Sequence, residues 1–220
     1  MQRKRTSSPS ASANEHGSIR ARALRAFNRV YCHGFHRIDV QSPPNLPAKG
    51  PAILVCNHIS GLDPLLLQSV VARPIIWMMA REYYELKALR WLYEAVEAIP
   101  VERNGRDSSA TRAALRALGN GRVLGIFPEG RIETSCELLP FQTGVAMMAI
   151  RTRALVVPTH IEGTTRGKNM LQAFISANNV KLRFGQPIHL ADNAHGDKPD
   201  LNISTDRILQ SVLKLKRETV

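Results

Sequence analysis

Short apolar runs alternate with stretches of helical periodicity along most of the chain. The runs AILVC at 52–56 and VLGIF at 123–127 contain no charged position, which is typical of strands buried on both faces of a sheet. Further strands are predicted at 75–80, 99–102, about 155–161 and 181–184. Helices are predicted at 64–72, 83–96, 109–118 and 144–153, with a final helix from about residue 205 capped by Ser204. This alternation predicts an α/β fold, an αβα sandwich around a central, mostly parallel sheet.

A basic amphipathic segment precedes this pattern. At 100° per residue, residues 19–38 place a set of apolar side chains on one helical face: Ile19, Ala23, Leu24, Phe27, Val30, Tyr31 and Phe35. The opposite face collects cationic and imidazole side chains: Arg22, Arg25, Arg29, His33 and His36. Such a helix suits a membrane interface, where its apolar side enters the acyl region and its arginines reach lipid phosphates. Packing of the same helix on the protein core is the alternative.

Three regions are predicted on this basis. Residues 1–17 are basic and have little apolar surface to bury, so a disordered tail is expected there. Residues 18–40 form the N-terminal basic amphipathic helix, and residues 41–220 form the globular domain. The longest apolar region, 64–80, is interrupted by polar residues and proline, so a membrane-spanning helix is not predicted.

The charge balance narrows the class of partner. The 220 residues contain 30 Lys and Arg against 18 Asp and Glu, a net charge of +12, which attracts anionic lipids, nucleic acids or phosphate-bearing small molecules. Aromatic residues make up only 5% of the chain, and no nucleic-acid reading motif is present, so nucleic acid is not the expected partner. The three cysteines have neither disulfide-framework nor zinc-ligand spacing, so no metal site is predicted.

The segment NHISGLD at 57–63 directly follows the first buried strand. His58 and Asp63 are five positions apart and fit neither one helix face nor one strand face, but a strand-loop-helix corner brings them together, with Gly61 in the turn. A histidine oriented by a carboxylate is the arrangement that removes a proton from a hydroxyl group. The alternative is a structural His58 with Asp63 as the N-cap of a helix that begins at Pro64.

Two further strands are predicted to end in charged residues. Pro128 ends the strand at 123–127 and leaves Glu129, Gly130 and Arg131 in a loop, while Arg103 follows the strand at 99–102. In open α/β sheets, ligands bind at the carboxyl edge of the strands. These residues are therefore candidate site residues beside His58, although each alone is most often a solvated surface group.

These segments together resemble the glycerophospholipid acyltransferases. The first motif of that family, Asn-His followed by four residues and Asp, is present at 57–63, and the third, Phe-Pro-Glu-Gly, at 127–130. The sequences IPVER at 99–103 and VVP at 156–158 are similar to the second and fourth motifs. The resemblance covers roughly residues 45–190, so residues 41–220 are expected to be an acyltransferase domain.

The resemblance implies transfer of a fatty acyl group from acyl-CoA or an acyl-carrier-protein thioester to the free hydroxyl of a lysophospholipid. The expected acceptor is 1-acyl-sn-glycerol-3-phosphate, which gives phosphatidic acid. His58 is then the catalytic base and Asp63 its orienting group, with substrate-binding roles for Arg103, Glu129, Gly130 and Arg131. No bound cofactor or metal is implied. The expected location is an anionic membrane surface on the cytoplasmic face.

The acceptor remains open because the third motif departs from the family pattern. Ile132 occupies the usual Arg position, and Arg131 lies one place earlier. An enzyme that remodels lysophospholipids with another headgroup is therefore an alternative, as is a non-catalytic basic module that binds membrane or nucleic acid. Cys56 belongs to a predicted buried strand and is expected to be chemically inert.

Overall fold

The computed structural model describes residues 18–102, 107–132, 139–165, 170–190 and 199–217. The predicted tail at 1–17, as well as Arg103, lies outside these ranges. Within them the strands are β1 (Arg37–Val40), β2 (Ala52–Cys56), β3 (Ile75–Ala80), β4 (Ile99–Val101), β5 (Val123–Ile126), β6 (Leu155–Glu162) and β7 (Asn179–Phe184). The helices are α1 (Ile19–Phe35), α2 (Asp63–Val70), α3 (Arg81–Tyr84), α4 (Arg90–Ala95), α5 (Ser108–Gly119), α6 (Gly144–Thr152), α7 (Met170–Ile175) and α8 (Leu201–Arg217).

The strands of the described chain form a single sheet in the order β1-β7-β6-β2-β5-β3-β4. Neighbouring strands run parallel except for the antiparallel pair β6 and β7. The strand β2 lies at the centre, with Ala52 opposite Leu155 of β6 on one side and Val123 of β5 on the other. The predicted mostly parallel sheet is confirmed.

Helices cover both faces of this sheet. Ile53 and Val55 of β2 pack into a core with α5, α6 and α8, whereas Leu54 and Cys56 face a second core with α1 and α2. All five residues of β2 are buried, as a continuous apolar run predicts. The αβα sandwich is therefore confirmed, and β2 delivers the residues that follow it to the middle of the carboxyl edge.

Three local predictions are corrected by the structure. The helix predicted at 83–96 is divided into two short helices, α3 and α4. Neither helix has a buried residue, so no contact with the core favours one continuous helix. The last helix begins at Leu201, because Asp200 Oδ1 accepts hydrogen bonds from the amides of Asn202 and Ile203 at 2.7 and 2.9 Å. Ser204 lies inside that helix and is buried, so it is not the cap.

The amino-terminal helix ends earlier than predicted, at Phe35, and residues 37–40 form a strand. That strand pairs with β7, far along the chain, and the local sequence pattern does not reveal such a partner. His36, predicted on the basic face, is buried, and its Nδ1 accepts a hydrogen bond from the amide of Asn178 at 3.3 Å.

The helix α1 packs on the core with one side and exposes apolar side chains on the other. Ala21, Asn28 and Cys32 are buried, and the Asn28 side-chain amide donates to the carbonyl of Leu65 in α2 at 2.9 Å. Members of the predicted apolar face, including Phe27, remain exposed on the other side. One side of α1 therefore packs on the core, while an apolar strip faces outward. Within the described residues, no helix combines the length and apolarity needed to cross a bilayer.

His160 of β6 gives the fold a pH dependence. The imidazole is buried, and burial together with the neighbouring cations Arg183 and Lys216 lowers its pKa from 6.5 to about 4. At a pH between these two pKa values, His160 is protonated in the unfolded chain and neutral in the folded protein. The free energy of unfolding is therefore expected to fall by about 3 kcal/mol as the pH decreases from 6.5 to 4. Urea unfolding of wild type and His160→Gln across this window measures the effect, and an identical pH slope in both proteins contradicts it.

Candidate active site

His58 is held at the carboxyl end of β2 by a side-chain bridge between strands. Asn57 donates from Nδ2 to the carbonyl of Ile161 in β6 at 2.9 Å, and its Oδ1 accepts from the amide of Ile161 at 2.9 Å. These two bonds extend the pairing of β2 with β6 by one residue beyond the strand. The backbone that carries His58 is therefore fixed before the loop begins.

The carboxylate of Asp63 lies against the imidazole of His58, as the corner geometry predicts. Asp63 Oδ2 is 3.0 Å from His58 Nδ1, and the Asp63 side chain is fully buried. The same oxygen accepts from the amides of Ile59 and Ser60, both at 2.8 Å. Asp63 therefore points back into the preceding loop and makes no N-cap bond to α2, which corrects the capping interpretation.

This contact determines the tautomer of His58. An oxygen that already accepts two backbone hydrogen bonds acts as an acceptor toward the ring, so Nδ1 carries the proton and Nε2 has the free lone pair. The His58 side chain is 17% exposed, so the ring is reachable from solvent. A neutral imidazole in this state is suited to remove a proton from a hydroxyl group and to be stabilised as imidazolium by the carboxylate.

The imidazole of His58 also stacks on an aromatic ring, which in turn stacks on a second one. The rings of His58 and Phe127 stack with centroids 3.9 Å apart, and Phe127 stacks on Trp77 with centroids 4.9 Å apart. Trp77 lies opposite Gly125 in the pairing of β3 with β5. The absence of a side chain at Gly125 leaves the space in which the indole lies.

Substitution of Gly125 is expected to disturb this stack. A Cβ at Gly125 overlaps the ring of Trp77 and lies 2.7 Å from Ile75 Cγ2, so Gly125→Ala moves the indole and, through Phe127, the imidazole of His58. We expect a loss of about 1–3 kcal/mol in the free energy of unfolding, as for other overpacked cores. Chemical denaturation measures the loss; Gly144→Ala is the control because its Cβ meets no atom within 4 Å. Equal stability of the two variants contradicts the packing argument.

Glu129 connects the loop after β5 to His58. Its carboxylate is buried, and Oε1 accepts from the backbone amide of His58 at 3.0 Å, while Oε2 accepts from the amide of Leu139 at 3.2 Å. The alternative interpretation of Glu129 as a solvated loop acid is therefore wrong. Both oxygens hold backbone of the site, so Glu129 acts on the position of the imidazole.

Gly130 and Arg131 follow at the rim. Gly130 has a φ of +71°, which favours glycine, and its amide donates to the carbonyl of Phe127 at 3.1 Å. This amide is therefore engaged in closing a turn. Arg131 is exposed one residue farther along.

Arg103 lies outside the described residues, but both sides of its segment are anchored. The carboxylate of Asp107 accepts from the amides of Glu102, Ser109 and Ala110 at 3.0, 2.9 and 2.9 Å. These hydrogen bonds, that of Ala110 foremost, hold the pKa of Asp107 well below its usual range. Arg81, at the start of α3, forms ion pairs with Glu102 and Asp107. Glu102 and Asp107, the described residues before and after Arg103, are therefore held beside the carboxyl end of β4.

Cys56 does not have the properties of a nucleophile. It is fully buried in β2, and burial, followed by the charges of Asp63 and Glu129, raises the pKa of its thiol well above the usual value. The described part of the chain contains no cluster of three or more His, Cys, Asp or Glu side chains arranged to hold a metal ion.

Sequence reasoning missed the supporting residues of the site. Asn57 and Phe127 lie inside the recognised motifs, but only the fold shows that they bridge to β6 and stack on the imidazole. Arg81 is also absent from the sequence prediction. A glycine within an otherwise apolar strand, Gly125, is the available signal, because it marks a close approach of a neighbouring side chain.

Comparisons with known proteins agree with this geometry. The acyltransferase family profile matches residues 37–162, more than half of the chain, including all the candidate site residues. The 1-acyl-sn-glycerol-3-phosphate acyltransferase of Bacillus subtilis is 27% identical over 183 residues, covering 82% of this chain and 89% of the relative. The human enzyme named 1-acyl-sn-glycerol-3-phosphate acyltransferase beta is 24% identical, covering 90% of this chain and 71% of the relative.

A solved structure shares the fold. The crystal structure of the 1-acyl-sn-glycerophosphate acyltransferase of Thermotoga maritima superposes with a TM-score of 0.71 at 21% identity, covering 90% of this chain and 79% of that chain. The profile match, with an imidazole and a carboxylate in contact at the carboxyl edge of the sheet, gives the assignment: the chain belongs to the acyltransferase family of enzymes.

Proposed function

We propose that this acyltransferase moves a fatty acyl group from an acyl thioester to the free hydroxyl of 1-acyl-sn-glycerol-3-phosphate and produces phosphatidic acid. The observation that carries the proposal is the 3.0 Å contact between His58 Nδ1 and the buried carboxylate of Asp63. The names of the relatives, which cover most of this chain, support the choice of acceptor.

The reaction requires one base and no covalent enzyme intermediate. His58 Nε2 removes the proton of the acceptor hydroxyl as its oxygen attacks the thioester carbonyl, and Asp63 stabilises the imidazolium. The tetrahedral intermediate then collapses, the carbon–sulfur bond breaks, and the departing sulfur takes the proton from His58. The products are an ester and a free thiol, and the imidazole returns to its starting state. Cys56 takes no part, consistent with its raised pKa.

The proposed acceptor site lies at the rim beside His58. Arg131 and Arg103 bind the phosphate, because guanidinium groups form paired, charge-assisted hydrogen bonds with phosphate oxygens. Gly130 supplies the turn that leads to Arg131. Glu129, whose carboxylate accepts from the amide of His58, positions the base while Arg131 holds the headgroup. Binding at the phosphate fixes the distance from the hydroxyl to Nε2.

The donor is acyl-CoA or an acyl-carrier-protein thioester, used as a co-substrate with no bound cofactor. Both donors are soluble and cytoplasmic, whereas a lysophospholipid partitions into membrane. We therefore place the enzyme at the cytoplasmic face of an anionic membrane, without nucleic acid as a partner. The exposed apolar strip and the arginines of α1 support this location.

A competition assay tests the acceptor. Purified protein receives one acyl-CoA and three acceptors: 1-acyl-sn-glycerol-3-phosphate, lysophosphatidylcholine and monoacylglycerol. Mass spectrometry of the products is expected to show phosphatidic acid as the main product, because the other acceptors lack the terminal phosphate that Arg131 binds. Preferential formation of phosphatidylcholine instead identifies a remodelling enzyme with another headgroup. Absence of any acyl transfer contradicts the proposed function.

A further inference from the structure

A large aromatic side chain on α4 faces outward without a polar group to hydrate. Trp91 is 61% exposed, and its indole N–H donates to the carbonyl of Ala88 at 3.0 Å. The exposed part of the ring is therefore apolar. Leu86, just before α4, is also exposed. Single apolar side chains on a surface are ordinary, so the significance of Trp91 depends on its neighbours.

The neighbour is the apolar strip of α1. Phe27 is 71% exposed, and Ile19 and Val30 are exposed on the same side of the helix. Phe27 of α1 and Trp91 of α4 both line one largely apolar cavity of about 450 Å³. Both side chains line this cavity while remaining largely exposed, which places them at its rim.

Most of the other residues that line the cavity are also apolar. Leu24 and Tyr31 of α1 and Leu92 of α4 line its walls, and Trp77 of β3 contributes to its inner surface. Trp77 is the third ring of the stack that begins at His58. The volume is within the range of pockets that hold small molecules. Water in such a space gains few hydrogen bonds, whereas lipid acyl chains fit both the cavity and its rim.

The positive charge of α1 favours an anionic membrane as the partner. The segment at 18–36 contains Arg20, Arg22, Arg25 and Arg29 and no acidic residue, which suits anionic headgroups. On α4, the charge of Arg90 is balanced by Glu94 at 2.8 Å. The arginines of α1 thus provide the electrostatic attraction, and α4 offers aromatic and aliphatic surface.

We propose that α4 is a second membrane contact, with Trp91 and Phe27 entering the same leaflet so that the cavity that both side chains line opens into the lipid. This inference rests on the proposed function in that the acceptor comes from a membrane. It adds a contact inside the acyltransferase domain, formed by a helix that sequence periodicity did not separate from α3.

Tryptophan fluorescence provides a direct test, because the chain has only two tryptophans and Trp77 is buried. Wild type and Trp91→Phe are mixed with vesicles of phosphatidylcholine and phosphatidylglycerol, with or without bromine on the acyl chains. The wild-type emission is expected to shift to shorter wavelength and to be quenched by the brominated chains. The Trp91→Phe protein, which reports only Trp77, is expected to change much less.

Vesicle flotation gives the matching energetic measurement. Trp91→Ser is expected to lower the partition coefficient on the order of tenfold, as loss of a buried aromatic predicts. The effect is expected to persist at high salt, since it is not electrostatic. Ile203→Ser is the control: Ile203 is 73% exposed on α8, across the sheet from α1, and its loss is expected to leave partitioning unchanged.

Unquenched, unshifted emission from Trp91 in a protein that floats with vesicles overturns the inference. So does a protein that does not float, or a dimer whose interface covers Trp91. Acyl transfer measured separately in detergent micelles distinguishes the two proposals. Acyl transfer without quenching contradicts the membrane contact of α4 and supports the proposed function. Quenching without acyl transfer contradicts the proposed function and supports the membrane contact.

Discussion

Replacing His58 by alanine is expected to lower the turnover number for acyl transfer by about 100- to 10,000-fold, the usual contribution of a general base. The substitution removes the ring that contacts Asp63 and stacks on Phe127. The side chain is partly exposed, so the fold is expected to survive. Release of thiol from acyl-CoA, followed continuously in the presence of lysophospholipid, measures the loss.

The matched control for this variant is Cys56→Ala. Cys56 is two residues before His58 and fully buried, but it has no role in the proposed reaction. Transfer by Cys56→Ala is expected to stay near that of wild type. If Cys56→Ala loses transfer while His58→Ala keeps it, the base mechanism is wrong and a thiol nucleophile takes its place. Both variants are expected to float with vesicles as wild type does.

Asp63→Asn is expected to lower turnover by about a thousandfold to ten thousandfold, because the uncharged amide no longer stabilises imidazolium. The position of Oδ2 receives hydrogen bonds from the amides of Ile59 and Ser60. The amide oxygen is expected to occupy that position, since an NH₂ group there leaves two backbone donors unpaired. The NH₂ group then takes the place of Oδ1, which is buried and has no hydrogen-bond partner among the described residues.

This variant separates charge from geometry. The loop geometry is retained, so KM for the acceptor is expected to change little while kcat falls. Asp206→Asn, an exposed substitution on α8, is the matched control and is expected to be fully active. A wild-type kcat for Asp63→Asn shows that the carboxylate serves the loop alone, and the structural interpretation of Asp63 then holds.

Much of the fold follows from local sequence patterns. Continuous apolar runs locate β2, β3 and β5 within one residue at either end, because a strand buried on both faces tolerates no polar position. The strand β1 was not predicted, since its pairing with β7 depends on a segment about 140 residues away. Likewise, no local signal shows that the apolar face of α1 is only partly covered by α2.

The candidate site, like the fold, was predicted only where its contacts are local in sequence. The contact between His58 and Asp63 was accessible from spacing, because a strand-loop-helix corner is a local arrangement. The bonds that stabilise it come from other strands: Ile161 of β6 holds Asn57, and Glu129 after β5 holds the amide of His58. Spacing also left open the alternative that Asp63 caps the helix, since its oxygen can turn toward the loop or the helix and only the fold decides between them.

The most direct test of the central claim is the stoichiometry of acyl transfer by the purified protein. An acyl thioester is supplied with and without 1-acyl-sn-glycerol-3-phosphate, and free thiol and phosphatidic acid are quantified together. The account predicts one phosphatidic acid for each thiol, with little thiol released when the acceptor is absent or when His58 is replaced by alanine. Thiol release that proceeds equally without acceptor, or phosphatidic acid formed equally by the His58→Ala protein, contradicts it.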